Sequence, residues 1–361
     1  MIVSFRSVLL CPACRSLNTE LDLEPVEDPD ADGHVRAGLL VCPSCGSAYI
    51  IEEDIVYLLP PGLMYPDTAE SFARSHAGRL RERQVAALMQ QATSEPAGGS
   101  GGLAQLKQRA HFDAFAEDRE LTYTDYSKQP VWTAVDAIAF SRFHQHMAAN
   151  SSILDVGCGE GRASFQILRP GDTLLGLDVS RNLVRQAAGR AARTGVRNRA
   201  TFLVADGSAP PIRPSTFDCV LTYGVLHHLP SPVTVFEHIQ RILKAGGVHF
   251  GCENNTSVFR TLFDALMMMS PLWKEEAGES PLMSREQVAA WTNAAGGRVV
   301  DAYTTVFVPP HLLNLVGPGL AKRLLDVSDR LCRAVPGLSR QGGLLMFAAV
   351  KERPPTGDCA S

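Results

Sequence analysis

The chain has 361 residues, 45% hydrophobic and 20% charged, with a net charge of −4 from 34 Lys and Arg against 38 Asp and Glu. That length predicts two or three domains, and the composition has a globular balance. Net acidity without a basic stripe argues against a nucleic-acid partner, since clusters such as Arg79-Leu80-Arg81-Glu82-Arg83 are interrupted by acids.

The first residues reach Cys11 without the basic start, apolar stretch and small-residue cleavage site of an export signal, and the apolar runs are too short to span a membrane. A cytoplasmic protein with no transmembrane segment is therefore expected. Four of the nine cysteines form two Cys-x-x-Cys pairs, Cys11-Pro12-Ala13-Cys14 and Cys42-Pro43-Ser44-Cys45. Each pair can place two thiolates on one metal, and two pairs complete a tetrahedral site. A structural Zn²⁺ held by Cys11, Cys14, Cys42 and Cys45 is the expectation, with Asp28 to Gly33 as a polar hairpin tip. Tyr49-Ile50-Ile51-Glu52-Glu53-Asp54-Ile55-Val56-Tyr57-Leu58-Leu59-Pro60 then resembles the ending of small zinc-ribbon proteins of the Trm112-like type. That resemblance implies a zinc-ribbon-like module over 1–62, closed by Pro60-Pro61-Gly62.

Residues 63–148 read as helical, with one helix over about 67–91, a Gly-rich linker over about 93–102 and a second helical stretch from about 105. From 149 to 353 strands and helices alternate. The expected strands are 153–156, 173–177, 201–204, 217–222 and 248–252, with later ones at 298–307 and 343–351. The expected helices include 162–168, one capped by Ser180, 232–243 and one capped by Ser284 with Gln287. Such alternation predicts an α/β fold with a doubly wound, mainly parallel sheet. An apolar helical insertion is expected over about 309–340 and a tail over 354–361.

Ile153-Leu154-Asp155-Val156-Gly157-Cys158-Gly159-Glu160-Gly161 is a strand running into a glycine turn and a helix start. Its Gly-x-Gly-x-Gly spacing is shorter than the Gly-x-Gly-x-x-Gly that seats a pyrophosphate. An acid beside the loop would repel phosphate and attract a cationic head group. Asp178 ends the second strand, where a carboxylate can accept ribose hydroxyls, and Asp206-Gly207 follows the third.

Residues 150–252 thus resemble the class I, Rossmann-like S-adenosylmethionine-dependent methyltransferases, particularly the ubiquinone and menaquinone biosynthesis-like branch. The matching pieces are Leu154 to Gly161, Gly176-Leu177-Asp178-Val179-Ser180, Ala205-Asp206-Gly207, Phe217-Asp218, Leu226-His227-His228-Leu229 and Leu243 to Gly247. The resemblance implies a seven-stranded sheet and S-adenosylmethionine as cofactor. It implies that Asp155, Gly157, Cys158, Gly159, Gly161, Asp178, Val179, Asp206, Gly207, Tyr223 and Leu226 bind the cofactor. Asp155 and Gly157 line its methionine part, Asp178 takes the ribose, Asp206 and Gly207 face the adenine, and Tyr223 and Leu226 flank the reactive centre.

Methyl transfer needs positioning above all, and a general base only where the acceptor must lose a proton. His227 and His228 are the candidates for that base, set against a purely structural role. Glu253 and Asn254 can bond an acceptor, and Tyr123 and Tyr126 lie where this family places a lid. The expected reaction is O- or C-directed methylation of a small organic acceptor. RNA methylation and a non-catalytic cofactor-binding scaffold are the alternatives. The 309–340 insertion suggests a lid, a homodimer surface or a pocket for a greasy acceptor, and Met267-Met268-Met269 with Trp273 an adaptable apolar pocket.

Overall fold

The computed structural model describes residues 3–30, 35–96, 100–117, 128–272 and 281–352. The expected lid residues Tyr123 and Tyr126, the expected pocket residue Trp273, the 354–361 tail and half of the predicted hairpin tip lie outside the described residues.

The alternating half of the chain forms β5 (Ser152–Val156), β6 (Thr173–Asp178), β7 (Ala200–Ala205), β8 (Phe217–Tyr223), β9 (Leu243–Asn254), β10 (Gly297–Thr305) and β11 (Leu344–Lys351). These lie in the order β7-β6-β5-β8-β9-β11-β10. The first five run parallel, and β11 is antiparallel to both its neighbours. Helices cover both faces, so the central strands are continuous apolar runs rather than alternating ones; Leu174, Leu175 and Leu177 of β6 are all buried. From β5 the chain winds outward through β6 and β7, then returns to β8 on the other side of β5. That reversal opens a crevice above the carboxyl ends of β5 and β8.

Seven strands were expected of the sheet, and it has eleven. The cysteine-bearing segment contributes β1 (Asp22–Pro25), β2 (Ala37–Val41), β3 (Ala48–Glu52) and β4 (Ile55–Leu58) as an antiparallel meander. Strand β4 pairs in parallel with β7, Val56 opposite Leu203 and Leu58 opposite Ala205. All six residues of β7 are buried, as expected of a strand with a neighbour on each side rather than an open edge.

The helices are α1 (Pro66–Ser75), α2 (Glu82–Thr93), α3 (Ser100–Glu117), α4 (Pro130–Phe143), α5 (Arg162–Ile167), α6 (Arg181–Arg193), α7 (Pro232–Ile242), α8 (Val258–Met269), α9 (Arg285–Ala294), α10 (Pro310–Leu313) and α11 (Pro318–Ala334). The single helix expected over 67–91 is broken into α1 and α2 by a turn around His76 to Leu80. The expected linker is shorter than its glycines suggested, because α3 already begins at Ser100 and takes in Gly101 and Gly102. Helix α6 buries Leu183, Val184, Ala187 and Ala191, and Ser180 Oγ caps it by accepting from Leu183 N at 3.3 Å. The capping box of Ser284 and Gln287 forms on α9 as its sequence predicts. The apolar insertion resolves into α10 and α11, with α11 packed against α4.

Candidate functional site

A cavity of about 150 Å³ opens in the crevice, walled by the glycine loop, the ends of β6, β8 and β9, and helices α3, α4 and α8. Gly157, Gly159 and Gly161 all have positive φ, at +73°, +52° and +86°, a region that penalises any Cβ. Their reasons differ. A Cβ on Gly157 would sit 2.2 Å from Val225 Cγ2, and one on Gly161 would strike the Phe165 ring at 2.5 Å. A Cβ on Gly159 would meet nothing within 4 Å. Gly159 therefore leaves its backbone bare toward the cavity.

Of the predicted cofactor residues, Gly157, Cys158, Gly159, Asp178, Val179, Gly207 and Tyr223 line the cavity. Asp155, Gly161, Asp206 and Leu226 do not line it. Asp155 is fully buried beneath the loop, where its Oδ2 accepts from Ser164 Oγ at 2.5 Å and its Oδ1 has no partner. Burial, with the Asp178 charge adding to it, raises its pKa to about 7 against the opposing hydrogen bond from Ser164. Gly161 faces Phe165 instead. Asp206 turns onto its own loop, accepting from Ser208 N at 2.8 Å and from Ser208 Oγ. Leu226 is core.

Asp178 accepts from Gly159 N at 3.0 Å and from Ser180 N at 2.9 Å, which ties the second strand to the glycine loop. Burial raises its pKa while these amides lower it. Helix α3 docks on the same turn through Asp113, which accepts from Ser180 Oγ at 2.6 Å and from Tyr65 Oη at 2.7 Å. That docking lays Gln105, Gln108 and Phe112 over the cavity, at the spacing of one helix face. The covering element sought near Tyr123 is thus supplied, among the described residues, by α3.

Several further lining groups were not picked out as site residues from the sequence, among them Glu160, Gln105 and Arg162. Glu160 is buried with Oε1 unpartnered, and Gln105 is buried with Nε2 unpartnered. Arg162 follows the last loop glycine and pairs with Asp136 of α4 at 3.0 Å. Asp136 also accepts from Tyr223 Oη at 2.7 Å and Gln166 Nε2 at 2.7 Å. The phenol of Tyr223 is thereby held, and burial raises its pKa well above the usual value. The position of Arg162 after the third glycine was the available signal.

At the far wall, His227 and His228 both line the cavity and were the predicted bases. They differ in setting. His227 is buried, and its Nδ1 lies 2.6 Å from Glu253 Oε2. Glu253 Oε1 accepts from Val225 N at 3.0 Å and Leu226 N at 2.9 Å, so the carboxylate is fixed by backbone on one side and by imidazole on the other. A carboxylate on Nδ1 holds the proton there and leaves Nε2 as the acceptor. His228 is half-buried, edge-on to Phe112 with ring centroids 5.2 Å apart. Asn254 and Arg260 line the same wall, with Arg260 donating to Asn254 Oδ1 at 2.5 Å. Met267 is buried away from the cavity, while Met268 and Met269 are exposed, so the methionine run does not build a pocket.

The two cysteine pairs converge. Their four Sγ atoms lie within 4.8 Å of one another, with Cys11 and Cys45 at 3.6 Å and Cys14 and Cys42 at 3.6 Å. A tetrahedral zinc with Zn–S near 2.3 Å separates its sulfurs by about 3.8 Å. The donor set and its spacing fit that ion, with no position left open for a substrate.

Strand order, a glycine turn over β5 and an acid at the end of β6 define this half of the molecule as a class I, Rossmann-like methyltransferase domain. Residues 154–251 match a family model described as a methyltransferase domain. The chain is 28% identical over 146 residues to 27-O-demethylrifamycin SV methyltransferase of Amycolatopsis mediterranei, covering 38% of this chain and 54% of that protein. It is 27% identical over 183 residues to the ubiquinone biosynthesis O-methyltransferase of Colwellia psychrerythraea, covering 50% of this chain and 72% of that one. The chain thus spans about half the length of the rifamycin relative. A solved complex between the Haloferax volcanii Trm112 methyltransferase activator and a methyltransferase superposes at a TM-score of 0.48 with 19% identity, over 67% of this chain and 98% of the other. No helix among the described residues is long and apolar enough to cross a membrane.

Proposed function

We propose that the chain methylates a hydroxyl oxygen of a small organic acceptor, with S-adenosylmethionine as donor and Zn²⁺ as a structural ion. The observation that carries this reading is the His227–Glu253 pair on the cavity wall. Bare backbone at Gly159 and carboxylates at Asp178 and Glu160 suit a cofactor with a cationic sulfur and ribose hydroxyls. Burial raises the pKa of both acids, a cost that a nearby cation offsets. The bound cofactor supplies an electrophilic methyl group on a neutral leaving thioether.

The protein's part is placement and one proton. His227 Nε2 takes the acceptor's hydroxyl proton as the oxygen lone pair forms the new O–C bond and the C–S pair returns to sulfur. Glu253 holds the imidazole in the required tautomer and stabilises the imidazolium that results. Helix α3 and Phe112 cover the reacting groups from water. O-directed transfer agrees with the names of the two relatives above, and the dyad supplies the base that a hydroxyl acceptor's proton needs.

Calorimetric titration with S-adenosylhomocysteine tests the cofactor, and metal analysis of the purified chain tests the zinc. Saturable binding and one zinc per chain are expected. Uptake of NAD in the same cavity, with no affinity for the sulfur cofactor, would overturn the reading.

A further inference from the structure

Large exposed apolar side chains are not spread over this molecule. Twelve of the fifteen among the described residues fall between Val258 and Val335. On α11, Leu320, Leu324, Val327 and Leu331 are 40–66% exposed at i, i+4, i+7 and i+11, which is one helix face. They do not belong to the packed side, because α11 buries Ala321, Leu325 and Asp329 instead. Helix α8 repeats the pattern: Phe263 and Met267 pack inward, while Val258, Leu262 and Met269 face solvent at 49–83%. Both ends of α8 bond to segments that flank α11. Val258 N donates to Gln341 Oε1 at 3.0 Å just past α11, and His311 Nε2 donates to the Ser270 carbonyl at 2.7 Å just before it. Exposed apolar side chains gathered on helix faces in this way mark an interaction site more often than ones scattered singly do.

The charges beside the strip select that partner. Arg323 and Arg330 are exposed on the polar edge of the α11 strip and take no ion pair among the described residues. The acids nearby are occupied: Asp326 by Lys322 at 2.7 Å, Asp264 by Arg260 at 2.7 Å, and Asp329 buried against Tyr303 and Thr305. A second copy joined by two-fold symmetry on this face would present more arginines and no unpaired acid. Lipid phosphates answer both features at once, taking the leucines into the acyl boundary and the guanidinium groups at headgroup level.

We propose that α8 and α11 form a docking face for an anionic bilayer. Arg260 lines the cavity from the inner side of α8, so the lipid-facing side is the outside of the cavity wall. Resting on the methyl-transfer reading, this places an amphiphilic, membrane-resident acceptor within reach of His227.

The test is co-sedimentation of the full chain with vesicles of phosphatidylcholine alone, and with vesicles of equal parts phosphatidylcholine and phosphatidylglycerol. Binding to the mixed vesicles that weakens with salt is expected. Arg323→Glu and Arg330→Glu should each cost about fivefold or more in affinity. Leu324→Glu combined with Leu331→Glu should cost at least about tenfold while leaving S-adenosylhomocysteine affinity unchanged. Absence of binding to the mixed vesicles, or binding indifferent to the leucine pair, overturns the proposal. So does a dimer in analytical ultracentrifugation that the leucine pair dissociates without changing vesicle binding, since the face then belongs to a second copy. Loss of cofactor binding in the unaltered chain would instead strike the methyl-transfer reading and leave the docking result standing.

Discussion

Arg15 Nη2 donates to the carbonyl oxygen of Pro210 at 2.9 Å, so the residue after Cys14 grips the loop that leaves β7. Its Nη1 holds Ala209 in the same way at 3.0 Å. Leu10 N donates to the Pro211 carbonyl and Arg213 N to the Val8 carbonyl, both at 2.8 Å. The segment after Asp206-Gly207 is therefore stitched to the cysteine module, and the metal knuckle and the cofactor loop share one hydrogen-bonded seam. Arg15 itself has a φ of +51°, at the end of a turn in which its N donates to the Cys11 carbonyl at 2.9 Å.

Arg15→Ala should destabilise the chain by about 1.5–3 kcal/mol, the usual range for hydrogen bonds to a charged group. Arg15→Lys should recover only part of this, because an ammonium cannot reproduce the planar fork that holds two adjacent carbonyls. Urea unfolding of the two variants beside the parent measures it. Equal stability for Ala and parent would mean that the seam adds nothing.

The buried pair of His227 and Glu253 predicts a split between binding and chemistry. His227→Ala should lower the turnover rate by roughly 10²–10⁴-fold, with S-adenosylhomocysteine affinity little changed. Glu253→Gln should cost rate through the wrong tautomer while the fold survives. His228→Ala should cost less, since His228 is only half-buried at the cavity edge beside Phe112, whereas His227 is buried and oriented by Glu253. Turnover kinetics across pH with any acceptor that the enzyme methylates decides between the two histidines.

Gly157 and Gly159 predict opposite failures from the same substitution. Gly157→Ala drives a Cβ into Val225 at a positive φ, which should cost at least about 2 kcal/mol of stability. Gly159→Ala meets open space inside the cavity. It should cost only the left-handed backbone penalty of roughly 1–2 kcal/mol, yet weaken cofactor binding about tenfold or more, because the new methyl occupies the ligand's path. Thermal unfolding and calorimetric titration of the two variants separate strain from obstruction.

What the sequence revealed and what it concealed follow from the range of the interactions. The loop from Asp155 to Gly161, the turn at Asp178 and the cap at Ser180 are local, so their spacing carried them. The four cysteines were legible because thiolates in pairs have few other uses. The fusion of β4 to β7 was not legible, because Ile55 to Leu58 and Ala200 to Ala205 are each a short apolar run with no mark of its partner. The direction of Asp155 was also hidden. An acid beside a glycine turn reads as a ligand contact, while the Oγ of Ser164, nine residues on, claims it. Glu253 was named only as a possible acceptor contact, since its partner His227 lies 26 residues away on another element.

Asp155 leaves a thermodynamic signature that does not require the cofactor. Its carboxyl is buried with one oxygen unpartnered, and its pKa of about 7 lies above the unfolded value of 3.8. Between those two values the folded state binds the proton more tightly than the unfolded chain does, so the folded state holds more protons. Stability from this group is then full below about pH 4 and falls as pH rises toward 7, by on the order of 1 kcal/mol per pH unit. Asp155→Asn keeps the shape and removes the titration. The parent should therefore lose stability relative to Asp155→Asn between pH 5 and pH 7, on the order of 1–2 kcal/mol. Urea unfolding at the two pH values, each with and without S-adenosylhomocysteine, is the measurement. A difference between the two proteins that stays constant with pH would show that Asp155 is ionised throughout and that a cation or water satisfies its second oxygen.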